Sequence, residues 1–85
     1  MVRKEVTVRI DSGLETRPVA FLVQIASRFV SEIYIELENR RVNAKSIMGM
    51  MTLGLDSGTD AVVTASGPDE EEAAEQIAGY LSKNN

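Results

Sequence analysis

Ile33-Tyr34-Ile35-Glu36-Leu37-Glu38-Asn39-Arg40-Arg41-Val42-Asn43-Ala44-Lys45-Ser46-Ile47-Met48-Gly49-Met50-Met51 passes from a two-residue apolar period to a helical one with no linker between them. Ile33, Ile35 and Leu37 alternate with Tyr34 and Glu36, and Val42 and Ala44 flank Asn43. That alternation is the signature of strands with one buried face, so the stretch predicts two strands joined at Glu38-Asn39. Asn39 tolerates the left-handed backbone that a tight hairpin needs. Ser46 then precedes Ile47-Met48-Gly49-Met50-Met51-Thr52-Leu53, and Gly54 can stop a helix there. The helix so predicted is short, and Gly49 weakens it.

The same reading extends outward in both directions. Val6, Val8 and Ile10 alternate with Thr7 and Arg9 as a first strand, which Asp11-Ser12-Gly13 breaks. Pro18 suits the first turn of a helix, and Val19, Leu22, Val23 and Ala26 follow at helical spacing, so a first helix is expected from about Thr16 to Ser27. Ala61, Val63 and Ala65 form the inward set of a fourth strand ending at Ser66-Gly67-Pro68. Asp69 with Glu72 three residues on resembles a capping box. Ala73, Ile77 and Leu81 then recur every four residues, and Lys83 lies near the end of this third helix. The order βαββαβα predicts an α+β open-faced sandwich, a four-stranded antiparallel sheet with three helices on one face.

Composition bounds what such a fold can do. A chain of 85 residues is expected to form one domain spanning 1–85, with 44% hydrophobic and 26% charged residues, an ordinary globular balance. Cysteine is absent, which removes thiolate nucleophiles, thiol metal sites and any need for an oxidising compartment. Histidine is absent too, which excludes a Ser-His-Asp triad, an imidazole metal ligand and a phosphohistidine. The net charge of -4 gives no overall attraction to nucleic acid phosphates. The longest apolar run, Val19 to Val23, is far short of the ~20 residues that a membrane span needs. A cytoplasmic protein without cofactor or metal, and without membrane or direct nucleic-acid binding, is the expectation.

Ser46 carries two readings on position alone. It caps the second helix by accepting a backbone N–H, or it presents its hydroxyl for phosphorylation where unpaired N–H groups and the positive helix end stabilise a dianion, with Lys45 assisting. Ile47, Met48 and Met51 cannot all be buried by a short helix that keeps Ser46 exposed, so some apolar surface suited to docking should remain beside it. Arg17 opens the first helix, either as a solvated charge or as a bidentate anion ligand. Glu15 suits the helix start through its charge, and so does the run Asp69 to Glu72. Neither acidic group has a partner base or nucleophile, so the chain is not read as an enzyme.

Gly13-Leu14-Glu15-Thr16-Arg17-Pro18 and Asn43-Ala44-Lys45-Ser46-Ile47-Met48-Gly49 together resemble the HPr family, whose founding members are phosphocarriers of the bacterial sugar phosphotransferase system. The likeness runs nearly the whole chain. It departs from the carriers at Glu15, which stands where their phosphorylated histidine belongs, and this points to the catabolite-repression branch of the family. Members of that branch usually have glutamine there. The resemblance implies an HPr fold, phosphorylation of Ser46 by HPr kinase/phosphorylase, and corepressor binding to the LacI-type catabolite control repressor. Carried over by position, Ser46 is the phosphorylation site, Arg17 a phosphate- and partner-contacting residue, and Ile47, Met48 and Met51 the docking patch. A general phosphocarrier role conflicts with the missing histidine. A small-ligand or RNA-binding module is a further alternative, since unrelated domains of those kinds share this core, but an RNA-binding sheet would need stacking aromatics, and Tyr34 is the only aromatic on a strand. The Asp11-Ser12-Gly13 break is a possible hinge for exchange of the first strand between two chains, so the expected state is a monomer or a strand-exchanged homodimer.

Overall fold

The computed structural model describes residues 1–9, 17–53 and 58–82, with backbone only for 17–19 and 53. Ile10, Asp11-Ser12-Gly13, Glu15, Thr16, Gly54 and Lys83 lie outside the described residues. The elements follow the expected order: β1 Val2–Thr7, α1 Arg17–Ser27, β2 Glu32–Leu37, β3 Arg40–Asn43, α2 Ile47–Leu53, β4 Asp60–Ser66 and α3 Glu70–Leu81.

The strands form one antiparallel sheet in the order β1-β4-β2-β3, which leaves β1 and β3 at the edges. Register fixes which side chains share a face. Val2 pairs with Ala65, Val6 with Ala61, Ile33 with Ala65 and Ile35 with Val63, so these residues line the inner face. Three helices cover it. α3 lies across β1, β4 and β2, α2 packs on β3, and α1 bridges α2 and α3. Leu22, Ile25 and Ala26 of α1 meet Met50 of α2 and Ala73, Ala74, Ile77 and Leu81 of α3 in one buried core over the sheet. The outer face is polar. There Arg41 covers the Tyr34 ring at 4.2 Å and reaches the Glu36 carboxylate at 3.5 Å. The sole strand aromatic is therefore already stacked by a guanidinium.

β1 begins earlier than the alternation of Val6, Val8 and Ile10 indicates, and its ladder ends at Thr7. The early part was hidden because Lys4 occupies an inward-facing position opposite Val63, where a charged residue breaks the apolar period. Val8 continues the buried face outside the ladder, held by its N–H to the Thr59 carbonyl at 2.8 Å. The β2–β3 turn also differs from expectation. Leu37 pairs with Arg40, so Glu38 is the first central residue, and it takes the left-handed backbone (φ 52) instead of Asn39.

The start of α3 is built differently from a capping box. The Asp69 side chain makes no bond to its own helix; its carboxylate accepts the Ser31 hydroxyl and the N–H groups of Val30 and Ser31, the latter two at 3.0 Å. Those three donors outcompete the helix N–H groups, and the Ser31 hydroxyl first, then the Val30 N–H, hold the Asp69 carboxyl below its ordinary pKa. Glu70 fills the local role by accepting the Gly67 N–H at 3.0 Å, and it also meets the terminal ammonium of Met1 at 3.2 Å. The Gly67 contact and then that ammonium lower the Glu70 pKa. Gly67 itself is required by crowding: a Cβ there would lie 2.7 Å from the Ser31 Cα, at a φ of +150.

Candidate phosphorylation site and docking surface

Ser46 sits where the chain leaves the β3 edge and turns into α2. Asn43 builds that turn twice over: its side-chain oxygen accepts the Lys45 N–H at 2.8 Å and its backbone carbonyl accepts the Ser46 N–H at 3.0 Å. The Ser46 carbonyl then receives the first helical bond, from Met50 N–H at 2.9 Å. The Ser46 hydroxyl accepts the Gly49 N–H at 3.2 Å while remaining exposed to solvent. Capping and exposure thus coexist in one side chain: the oxygen satisfies an orphan helix donor and stays open to solvent.

Gly49 has a local reason beyond helix propensity. A Cβ at this position would stand 3.3 Å from Ser46 Oγ and 3.5 Å from the Val42 Cβ, so its absence keeps the hydroxyl uncrowded. Lys45 does not assist Ser46 as expected. Its ammonium donates to the Phe29 carbonyl at 2.6 Å, just past the C-terminal end of α1, where carbonyls and the helix dipole favour a cation. Lys45 is therefore a brace between α1 and α2.

α2 divides its four described large apolar side chains by face. Met50 is fully buried in the core, whereas Ile47, Met48 and Met51 are 44%, 77% and 54% exposed. A seven-residue helix resting on β3 and α1 has one inward direction, and Met50 takes it. The exposed trio lies beside Ser46 at spacings of one, two and five residues. Arg17 begins the α1 backbone, and its side chain and Glu15 lie outside what is described. The roles of Asn43, Gly49 and Lys45 in shaping the turn escaped the sequence reading. An asparagine three residues ahead of the capping serine was the signal available for the first of them.

Sheet order, helix layer and this turn define a class. Residues 2–83 match the family described as the PTS HPr component phosphorylation site, and the chain belongs to that HPr family. Within it, the chain is 46% identical over 83 residues to the HPr-like protein Crh of Bacillus subtilis, covering 98% of both chains. The crystal structure of the phosphocarrier protein HPr from Bacillus anthracis superposes with a TM-score of 0.89 at 46% identity, covering 94% of this chain and 95% of that one. The crystal structure of Bacillus subtilis Crh, described as revealing a swapping domain in a dimer, gives a TM-score of 0.78 at 45% identity over 100% of this chain and 98% of that one. Among the described residues, no helix is long and apolar enough to cross a membrane.

Proposed function

We infer that this chain is a regulatory HPr-like protein of carbon catabolite repression, phosphorylated on Ser46 by HPr kinase/phosphorylase and then acting as corepressor of the LacI-type catabolite control repressor. The observation that carries this reading is the exposed Ser46 hydroxyl beside exposed Ile47, Met48 and Met51, in a chain that has no histidine. The kinase transfers the γ-phosphoryl group of ATP to Ser46 Oγ, the hydroxyl gives up its proton, and ADP leaves. The net charge moves from -4 to about -6. The repressor then meets a surface that did not exist before, a dianion joined to an apolar patch, with Arg17 assigned by the resemblance as a further phosphate- and partner-contacting residue. Charge confers selectivity for the modified form, and apolar contact confers affinity.

Identity does not separate regulator from carrier, because the chain is 46% identical both to Crh and to a phosphocarrier HPr. The missing histidine separates them. By the resemblance, Glu15 stands in the sequence at the replaced phosphohistidine position. The protein acts as a partner and substrate in the cytoplasm, with no catalytic residue of its own. β1 is an edge strand, so exchanging it between two chains rebuilds the same sheet, as the swapping described for Bacillus subtilis Crh suggests. Light scattering over a range of concentrations tests for this homodimer, and a monomer at every concentration removes it.

Intact-mass analysis after incubation with the kinase and ATP tests the main reading. One added phosphate is expected, and none in Ser46→Ala. A phosphate mapped to Ser12, Ser57 or Ser66 overturns the assignment.

A further inference from the structure

The chain has no cysteine and four methionines, three of them on the single short helix that follows Ser46. Its oxidisable sulfur is therefore thioether sulfur, concentrated at one place on the fold. α2 splits that sulfur between two environments. Met48 and Met51, three residues apart on one helix face, are 77% and 54% exposed, while Met50 between them is 0% exposed and packed in the core. A hydroperoxide in solution reaches the first two and is shut out from the third.

We propose that Met48 and Met51 are a reversible oxidation site that switches the docking surface off without disturbing the fold, an inference that rests on the docking role assigned to that patch. The chemistry needs one oxidant, a hydroperoxide. A sulfur lone pair of the methionine attacks the terminal peroxide oxygen, the O–O bond breaks, and the products are a sulfoxide and water, or an alcohol when the peroxide is organic. Sulfur is oxidised by two electrons and the peroxide is reduced. Reduction by the methionine sulfoxide reductases restores the thioether. The sulfoxide turns a flexible apolar side chain into a polar one, so burying it against an apolar partner surface leaves a strong acceptor without water. Met50 Sδ stays inside the core, so folding is spared. Ser46 is untouched, which separates this control from phosphorylation: the same patch answers to two independent modifications, one that adds charge beside it and one that removes its apolar character.

The test uses the full chain and hydrogen peroxide. Peptide mapping along a time course is expected to show Met48 and Met51 oxidised, together with the exposed Met1, while Met50 remains reduced and the circular dichroism melt is unchanged. Oxidation of Met50 at the rate of Met48, or a melt that collapses as Met48 and Met51 react, overturns the site. Binding of the Ser46-phosphorylated chain to the LacI-type catabolite control repressor is then measured before oxidation, after it, and after treatment with the reductases. Oxidation is expected to weaken binding roughly tenfold or more, with recovery on reduction. In a double variant, Met48→Leu with Met51→Leu, peroxide is expected to leave binding at whatever level the untreated variant shows, and a peroxide-dependent loss in it overturns the assignment to these two sulfurs. Equal affinity of the oxidised and reduced wild type overturns the switch. Failure of the unoxidised protein to bind at all overturns the docking role and the switch with it, while the mapping result still stands or falls by itself.

Discussion

Replacing Ser46 with alanine removes more than a phosphorylatable hydroxyl, and the loss can be sized from the geometry of the turn. In the folded chain Ser46 Oγ accepts a single bond, from Gly49 N–H at 3.2 Å. Losing a serine cap to alanine costs ~1 kcal/mol on average, within a range of about 0.5–2. Here the bond is long and the site exposed, so water takes over the orphaned N–H in part, and the loss should fall at about 0.5–1 kcal/mol. Because a domain of this size shifts by about 4–8 °C per kcal/mol, the melting temperature should drop by roughly 2–8 °C. Ser46→Asp keeps an acceptor at the cap and adds a negative charge at the positive end of α2, worth about 0.3–1 kcal/mol, so it should recover most of the loss. Urea unfolding followed by circular dichroism, fitted with a common m-value, measures all three proteins. Ser46→Ala as stable as the parent, or Ser46→Asp less stable than Ser46→Ala, would refute the capping argument. The result also bears on any phosphorylation experiment, since the alanine variant must be shown folded before its silence is read as chemistry.

Met50→Ala should cost about 2–5 kcal/mol by emptying a fully buried site, and Met51→Ala should stay within about 0.5 kcal/mol; comparable losses in chemical denaturation would mean that the faces of α2 are misassigned. The Asp69 carboxyl has a folded pKa below its ordinary 3.8, so its contribution is complete above that value and disappears as pH falls through the lower one. Asp69→Asn should accordingly be less stable at neutral pH and lose less on acidification, and parallel acid profiles for both proteins would contradict the three-donor arrangement at Ser31. Incubation with phosphoenolpyruvate and the first enzyme of the phosphotransferase system should leave the wild type unlabelled, because Glu15 offers a carboxylate in place of an imidazole. Glu15→His should accept label at least partially; a labelled wild type would refute the first claim, and a folded but inert variant the second.

The parts of the fold that were legible in the sequence are those where burial enforces a period. Ile33, Ile35 and Leu37 had to alternate because their strand packs one face only, and Ala73, Ile77 and Leu81 had to recur because α3 covers three strands with one stripe. Legibility ended where a residue answered to a distant partner. Lys4 faces inward at a sheet edge and so disguised the first half of β1. Asp69 reads as a helix cap by position, but Ser31, far away in sequence, supplies better donors. Lys45 reads as an aid to its neighbour Ser46, and α1 claims it through the Phe29 carbonyl. For the site, the residue types and spacings around Ser46 were visible in advance and the resemblance supplied the patch of Ile47, Met48 and Met51, whereas the complete burial of Met50 depended on where α1 and β3 lie.

The turn around Ser46 has a bearing on how an enzyme must approach it. The Ser46 N–H is bonded to Asn43 and its carbonyl to Met50, so neither main-chain group is available to pair with a second polypeptide. A kinase that reads its substrates as extended strands would have to unravel this corner before binding. One that modifies Ser46 in place must recognise the folded corner as a shape, its apolar shoulder included. A short synthetic peptide spanning residues 43–51 would bear the full entropic cost of nucleating its own helical turn. Such a peptide should be a poor substitute for the intact domain even though it contains every residue of the motif.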